Sequence, residues 1–404
     1  MIPVAEAITR ITGAFEPLAG ETAWLGEAVG RVLAEDVVAR TTQPPFDVSA
    51  MDGYAVRGRD VKLAPVTLKK IGDVPAGQHF EGTLGPGETV RIFTGARVPN
   101  GADTIIIQEN TETNLQQITV LKAPRKAQFM RPAGLDFSAG DIGLKAGQRL
   151  TPRAIGYAAS MNYPSLAVRR KPRVAILATG DEIVMPGEPI GPNQIVSSNS
   201  HALAAAVKIY GGEPLNLGIA PDDRQGLKAM AAGAKGADIL VTTGGASVGD
   251  HDLVQSVLGE IGLKLDFWKI AMRPGKPLIF GSIGDTRVLG LPGNPVSALV
   301  CALIFLRPAI YRMLGLANEV TPELSARIDR DLAANDERQD YLRATLCAGS
   351  SGELLASPFE RQDSSMISLL VQSEALIVRP PFDPHVSAGD MVKVIPFSSE
   401  IPLI

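Results

Sequence analysis

The sequence predicts a multidomain protein of α/β plus all-β class. It comprises a doubly wound α/β domain over about 171–318, an inserted β domain over about 45–140, a small C-terminal β-barrel or sandwich over about 319–404, and a segmented N-terminal domain from 1–44 and 141–170. Three observations carry this expectation. Twice between Val174 and Asp252 an apolar run stops at a glycine loop crowded with acids: first Val174 to Thr179, then Gly180-Asp181-Glu182, and later Ile239 to Thr243, then Gly244 to Asp252. Such runs suit parallel strands, buried on both faces, whose carboxyl ends open on a ligand crevice. On either side lie short β runs separated by Gly, Pro and Asn. A length of 404 residues is also too great for one ordinary core.

The elements follow in order. Val4, Ile8 and Ile11, then Ala28, Val32 and Leu33, have helical spacing that stops at Gln43-Pro44-Pro45. Val66–Leu68, Thr89–Phe93, Thr104–Ile107 and Gln117–Val120 read as strands of the inserted module. Helical residues return around Ala154 to Met161, and Arg169-Arg170-Lys171-Pro172-Arg173 reads as an exposed charged linker. From 171 strand and helix alternate. One helix is capped near Asn199-Ser200 and ends at Gly211-Gly212, a strand covers Leu215–Ala220, and Pro221-Asp222-Asp223-Arg224 opens the next helix. Leu278–Phe280, Val288–Leu291 and a helix entered at Pro295 complete the unit. Leu324–Ile328, Tyr341–Cys347, Glu353–Ser357, Ala375–Val378 and Met391–Ile395 are the strands of the last domain.

Composition narrows the function classes. At 45% hydrophobic and 20% charged residues, with 39 basic against 43 acidic side chains, the chain has the balance of a soluble enzyme rather than of a general nucleic-acid binder. Cys301 and Cys347 have no metal-ligand spacing and read as core thiols of a reducing compartment. The first residues carry Glu6 but neither a basic region nor a cleavage site, so a cytoplasmic location is expected. The apolar stretch Val296–Leu306 is about half the length a bilayer crossing needs and reads as a core helix.

Chemistry concentrates at the strand ends. Glycines let backbone N–H groups close on an anion, and Asp181, Glu182, Asp250 and Asp252 are suited to the Mg²⁺ that accompanies phosphates. Arg273-Pro274-Gly275-Lys276-Pro277 is a rigid basic corner for an oxyanion. Leu291-Pro292-Gly293-Asn294-Pro295-Val296-Ser297 turns a strand into a helix whose first N–H groups can face one. Asp222 and Asp223 stand at another helix start. Solvated turns, a proline-stiffened helix start and helix caps are the plainer accounts of the same residues. In the inserted module, Ser49-Ala50-Met51-Asp52-Gly53-Tyr54-Ala55 puts one acid in a sharp turn. Arg91-Ile92-Phe93-Thr94-Gly95 and Arg131-Pro132-Ala133-Gly134-Leu135-Asp136 add a hydroxyl, arginines and a second acid. Dinucleotide, Walker-type and nucleophile-elbow signatures are missing. His79, His201, His251 and His385 show no zinc spacing, and His251, flanked by acids, reads as a turn residue.

Together the segments 49–55, 91–95, 179–182, 243–249, 273–277 and 291–295 resemble, in order and across essentially the whole chain, the MoeA family of molybdopterin molybdenumtransferases and the E domain of gephyrin. The resemblance implies an α/β domain of the molybdopterin-binding type and a homodimer whose cleft receives Asp52 and Thr94 from one subunit and the α/β loops from the other. It implies Mg²⁺-dependent insertion of molybdate into adenylylated molybdopterin, with release of AMP. By the same likeness Glu182, Asp222 and Asp252 serve the metal and the pterin phosphate. Arg273, Lys276, Pro277, Ser297, Arg343 and Ser364 form the molybdate pocket, and Gly180, Gly244, Gly245, Ser247, Gly293, Asn294, Arg131 and Asp136 bind substrate. Contacts with an adenylyltransferase and with apo-molybdoenzymes are further implied partners. A gephyrin-like scaffold and another Mg²⁺-dependent nucleotide hydrolase stand as alternatives.

Overall fold

The computed structural model describes residues 1–244, 253–316, 323–349 and 352–397. At its centre is a six-stranded sheet, ordered Glu213–Ala220, Arg173–Thr179, Ile239–Thr243, Thr286–Leu291, Pro277–Ile283 and Lys264–Lys269. The first four strands are mutually parallel, while Pro277–Ile283 runs antiparallel to both neighbours, so the sheet is mixed. Every residue from Val174 to Thr179 is buried. Alternation along that strand explains why: Val174 and Ile176 pack with Leu203, Val207 and Val296 on one face, and Ala175 and Leu177 pack with Leu227, Ala231 and Val254 on the other. Helices therefore cover both faces, as a parallel sheet requires.

The helix Pro295–Leu314 is long and apolar enough to span a bilayer by length and composition, but it lies in the first of these cores. It relaxes into a π turn at Ala302–Leu306 and stops at Gly315, which adopts φ +79°. The opening helix Val4–Gly13 joins the same core through Val4, Ala7 and Ile11.

The expected second helix near Ala28 to Leu33 does not form. Gly30, at φ +76°, turns the chain, and Val32 and Leu33 then make antiparallel bridges to Arg149 and Val168. Leu33 is buried beside Leu150, Ala154 and Ala158, and Val32 in the central core, which explains the apolar spacing without a helix. Residues 20–24 pair with 165–169, and 37–38 with 142–144, so the two chain segments form one body on either side of the insertion. Arg169-Arg170-Lys171-Pro172-Arg173 is not a solvated linker. Arg169 donates to the Leu18 carbonyl at 2.8 Å, and Arg170 makes a forked pair with Asp238 at 2.8 and 2.7 Å, a geometry that fixes direction as well as charge.

The insertion is a six-stranded sheet that also contains two strands not expected from sequence, Gly53–Val56 and Thr111–Asn114. Gly53 allows the first. A Cβ there would stand 1.9 Å from the Ile106 carbonyl oxygen of the neighbouring strand. In the last domain the five expected strands pair in a closed cycle, so the small barrel is confirmed. Cys301 is buried, and burial raises its thiol pKa, whereas Cys347 is exposed near the outer end of its strand and is not a core thiol.

Gly53→Ala should destabilise the protein by about 1–3 kcal/mol through overpacking. Gly26→Ala, with open space around its position, should change stability by less than about 0.5 kcal/mol. Denaturant unfolding monitored for the two variants checks the contrast, and equal effects would refute the steric account of Gly53.

Candidate active site

Four parallel strands end on one sheet edge at Thr179, Ala220, Thr243 and Leu291. The basic corner reaches the same edge from the opposite direction, because Pro277 begins the antiparallel strand in which Ile279 faces Gly290. Five loops thus share one rim, the arrangement in which open α/β sheets hold ligands.

Glycine sets how closely the loops meet. Gly244, at φ +91°, lies so near the first loop that a Cβ would stand 2.3 Å from the Thr179 carbonyl oxygen, and the Cβ of a residue at 293 would be 3.4 Å from the Gly244 Cα. Gly180, at φ +136°, lies under the Glu182 carboxylate, 2.3 Å from an added Cβ. The 180–182 and 221–223 loops are tied reciprocally: Asp222 N–H donates to Asp181 Oδ1 at 3.0 Å, and Asp181 N–H donates to Asp222 Oδ2 at 3.3 Å. Asp223 is a helix cap, accepting from Gly226 N–H at 2.7 Å, which leaves Asp222 as the acid facing the loops. Gly245, Ser247, Asp250, His251 and Asp252 lie outside the described residues. Among the described residues no three acids, histidines or cysteines gather as a metal cluster.

The C-terminal barrel closes one end of the rim. Ser364 Oγ accepts from Asn294 Nδ2 at 2.8 Å, and its carbonyl accepts the Val296 N–H at 3.1 Å. Pro295 has no N–H and Ala298 N–H bonds Asn294 O, so of the first helical turn only the Ser297 N–H has no backbone acceptor among the described residues. Ser297 itself is buried.

Arg343 holds this closure from below. It is 1% exposed and donates to Gln362 Oε1 and to the carbonyls of Met366 and Arg361, at 3.0–3.3 Å. Its pKa is lowered by burial. The structure thus makes Arg343 the organiser of the loop that carries Ser364. Arg273 is similarly engaged: it pairs with Asp340 and, at 3.4 Å, with Asp336, while residues 272–273 add a short parallel strand beside 339–340. Asp336 is held at about 2, chiefly by hydrogen bonds from Arg338. Lys276 has no ion pair among the described residues, and so it is the corner's uncommitted cation.

Asp52 and Thr94 meet on the insertion. Asp52 Oδ1 accepts from Thr94 N–H at 2.7 Å and from its hydroxyl at 2.8 Å. Those bonds, with Arg91 nearby, lower the Asp52 pKa, so this exposed carboxylate stays charged below the ordinary carboxylate range. Arg91 is stacked 4.9 Å over Tyr54 and 5.2 Å over Phe93. Arg131 pairs beside Val48, and Asp136 lies in the following loop, its N–H bonded to Gln43 O. Among the described residues no hydrogen bond or ion pair joins 45–140 to 171–397.

Two participants were not apparent from sequence. Asn199, read as a helix cap, donates instead to Thr243 Oγ1 at 2.8 Å and to Gly293 O at 2.7 Å. Gln362, seen only as a neighbour of Ser364, bonds both the backbone and guanidinium of Arg343. Neither position has a periodicity or loop composition that would single it out.

The chain is 37% identical over 381 residues to the molybdopterin molybdenumtransferase of Nostoc sp., covering 92% of this chain and 87% of that protein. It belongs to the MoeA family. Residues 2–162 match the MoeA N-terminal region (domain I and II), 175–312 a probable molybdopterin binding domain, and 325–397 the MoeA C-terminal region (domain IV). The molybdopterin molybdenumtransferase of Haemophilus influenzae is 36% identical, with 93% of each chain covered. A molybdopterin biosynthesis MoeA protein from Pyrococcus horikosii superposes with a TM-score of 0.86 at 32% identity, covering 99% of this chain and all of that one. This MoeA chain is a transferase, and the scaffold and hydrolase alternatives are not favoured.

Thr94→Val removes one of the two donors to Asp52. The Asp52 carboxyl should then titrate at higher pH than in the wild type, because a depressed value means the charged form is stabilised down through the folded pKa. Carbon-detected NMR titration reads this directly, and an unchanged midpoint would assign the depression to other groups.

Proposed function

We propose that this MoeA protein inserts molybdenum from molybdate into adenylylated molybdopterin, with Mg²⁺ bound and AMP released, in the biosynthesis of molybdenum cofactor. The observation that carries the reading is the shared rim, where glycine loops, exposed acids and a lysine with no ion pair among the described residues come to one sheet edge in a chain of this family. The acids fit Mg²⁺, a hard cation that takes oxygen ligands. Asp181 and Asp222 each give one oxygen to a backbone N–H and retain the other, and Glu182 stands beside them. Glu182 and Asp222 would hold the ion together with Asp252. Bound there, Mg²⁺ supplies charge neutralisation to the phosphoanhydride oxygens.

The chain's own groups do the rest. Asp52, charged and, among the described residues, hydrogen-bonded through Oδ1, presents Oδ2 to align a water, and it is an acceptor rather than a proton donor at neutral pH. Gly180, Gly244, Gly245 and Ser247 line the pterin nucleotide's phosphate path. Lys276 offsets the charge of the tetrahedral oxyanion, and the Ser297 N–H binds one of its oxygens. Pro277, Gly293, Asn294 and Ser364 shape that pocket, with Arg273 and Arg343 as its frame. Arg131 and Asp136 contact substrate from the insertion. Since Asp52 and Thr94 make no bond to the rim among the described residues, the reading places them over the rim of a second copy in a homodimer. An adenylyltransferase that supplies the nucleotide and apo-molybdoenzymes that receive the product are the proposed partners, in the cytoplasm.

Incubation with adenylylated molybdopterin, Mg²⁺ and molybdate should yield AMP and molybdenum cofactor in step. AMP without cofactor would reduce the reading to a hydrolase. Asp52→Ala should remain folded and lose AMP release. Mixing it with Glu182→Ala protein should restore part of the activity, and heterodimers without recovery would refute the shared cleft. Lys276→Ala removes one charge-assisted contact of about 1.5–3 kcal/mol, or roughly 10- to 150-fold in molybdate affinity, with much less effect on the nucleotide. Molybdate titration at fixed nucleotide checks this. A shift that falls on the nucleotide instead would move Lys276 to the other ligand.

A further inference from the structure

Of the five loops on the rim, two are touched by Asn199, which stands at the end of the segment following a third. It begins the helix Asn199–Ile209, which follows the 180–198 segment with its acids Asp181 and Glu182. Its amide Nδ2 donates at once to Thr243 Oγ1, at 2.8 Å, and to the Gly293 carbonyl, at 2.7 Å. A carbonyl can only accept, so the amide's orientation is fixed by Gly293. Thr243, buried at the end of its strand, passes its own hydroxyl proton to Pro292 O at 3.3 Å. The result is a closed ring of three hydrogen bonds linking the residue before Gly244 to the Pro292-Gly293 turn. The residue is not needed to cap its own helix by its side chain, since Ser198 holds the cap position and no side-chain cap bond is made.

We infer that Asn199 is a positioning residue that fixes the separation of the strand end Thr243-Gly244 from the Gly293–Ser297 turn. This rests on the functional reading above, in which the first loop holds the pterin nucleotide and the second the oxyanion. Each loop would then bind its own ligand with or without Asn199, but the two ligands would meet at the reacting distance only with it. The expected signature is therefore kinetic. Losing a fixed near-attack geometry lowers the rate of a two-ligand reaction on the order of 10- to 100-fold while leaving the binding of each ligand close to normal.

The experiment uses Asn199→Ala and the isosteric Asn199→Asp, which keeps shape but removes both donors, alongside Thr243→Val and the double variant Asn199→Ala/Thr243→Val. Cofactor formation is measured with adenylylated molybdopterin and molybdate varied in turn, with thermal unfolding recorded for each protein. The expected result is a 10- to 100-fold fall in kcat, KM for both substrates within about threefold of wild type, and a double variant no worse than the more impaired single one. If Asn199→Ala does not fold, Asn199→Asp decides. Unchanged kcat, a loss carried by KM, a loss that tracks unfolding, or additive losses in the double variant would each overturn the inference. Wild-type protein that forms no cofactor under the same conditions would instead refute the functional reading.

Discussion

Strands Arg173–Thr179 and Ile239–Thr243 lie side by side, and beyond their ends the backbone of one loop runs into the space a side chain would need on the other. With a Cβ at 244 only 2.3 Å from the Thr179 carbonyl, and one at 293 in van der Waals contact with Gly244, the second loop can leave its strand here only as bare backbone at 244. That constraint governs the rest. Around it the acids of the first loop and the 222 loop exchange backbone bonds, and Thr243 bridges to the Pro292 carbonyl. A larger residue at 244 would remove a surface as well as add strain, since the left-handed conformation and the close approach are demanded at the same place.

Charge is distributed by a related logic. Several arginines are structural: Arg170 on Asp238, Arg343 on carbonyls inside the barrel, Arg273 on Asp340 and Asp336. A planar guanidinium suits such work because its fixed fork gives direction to several bonds at once. At the basic corner and the 293–297 turn, the described residues leave for a ligand a lysine, a point charge on a flexible stem, and a helix-start amide. This pairing tolerates a tetrahedral anion in several orientations, whereas a forked arginine would favour one.

Much of this was legible in sequence where the signal is local. The apolar run of the 173–179 strand, the proline at the start of the 295–314 helix and the five strands of the last domain follow from periodicity and turn chemistry, and the candidate loops follow from their glycines and acids. The signal failed where tertiary partners decide. Ala28 to Leu33 have helical spacing yet bridge Arg149 and Val168, and the five-residue basic run is held to the protein by Leu18 and Asp238. Gly53–Val56 follows Asp52 in a segment that reads as a sharp turn, and only the Ile106 carbonyl explains its glycine. Asn199 is the clearest case, since its local pattern is that of a cap and its partners are 44 and 94 residues away.

The short pairing of residues 272–273 with 339–340 has a consequence for how such a chain can change over evolutionary time. Backbone bonds and the Arg273 carboxylate partners make the basic corner, formally part of the α/β domain, an extra edge of the barrel sheet. Asp340 is buried, so losing the cation beside it would strand a charge. Residues 273, 336 and 340 therefore form one heritable unit that crosses a domain boundary. A barrel exchanged between relatives would have to bring its own counterpart of the corner, and Tyr341, Leu376 and Ile395 of the barrel also pack into the α/β core, which makes this junction a poor site for recombination.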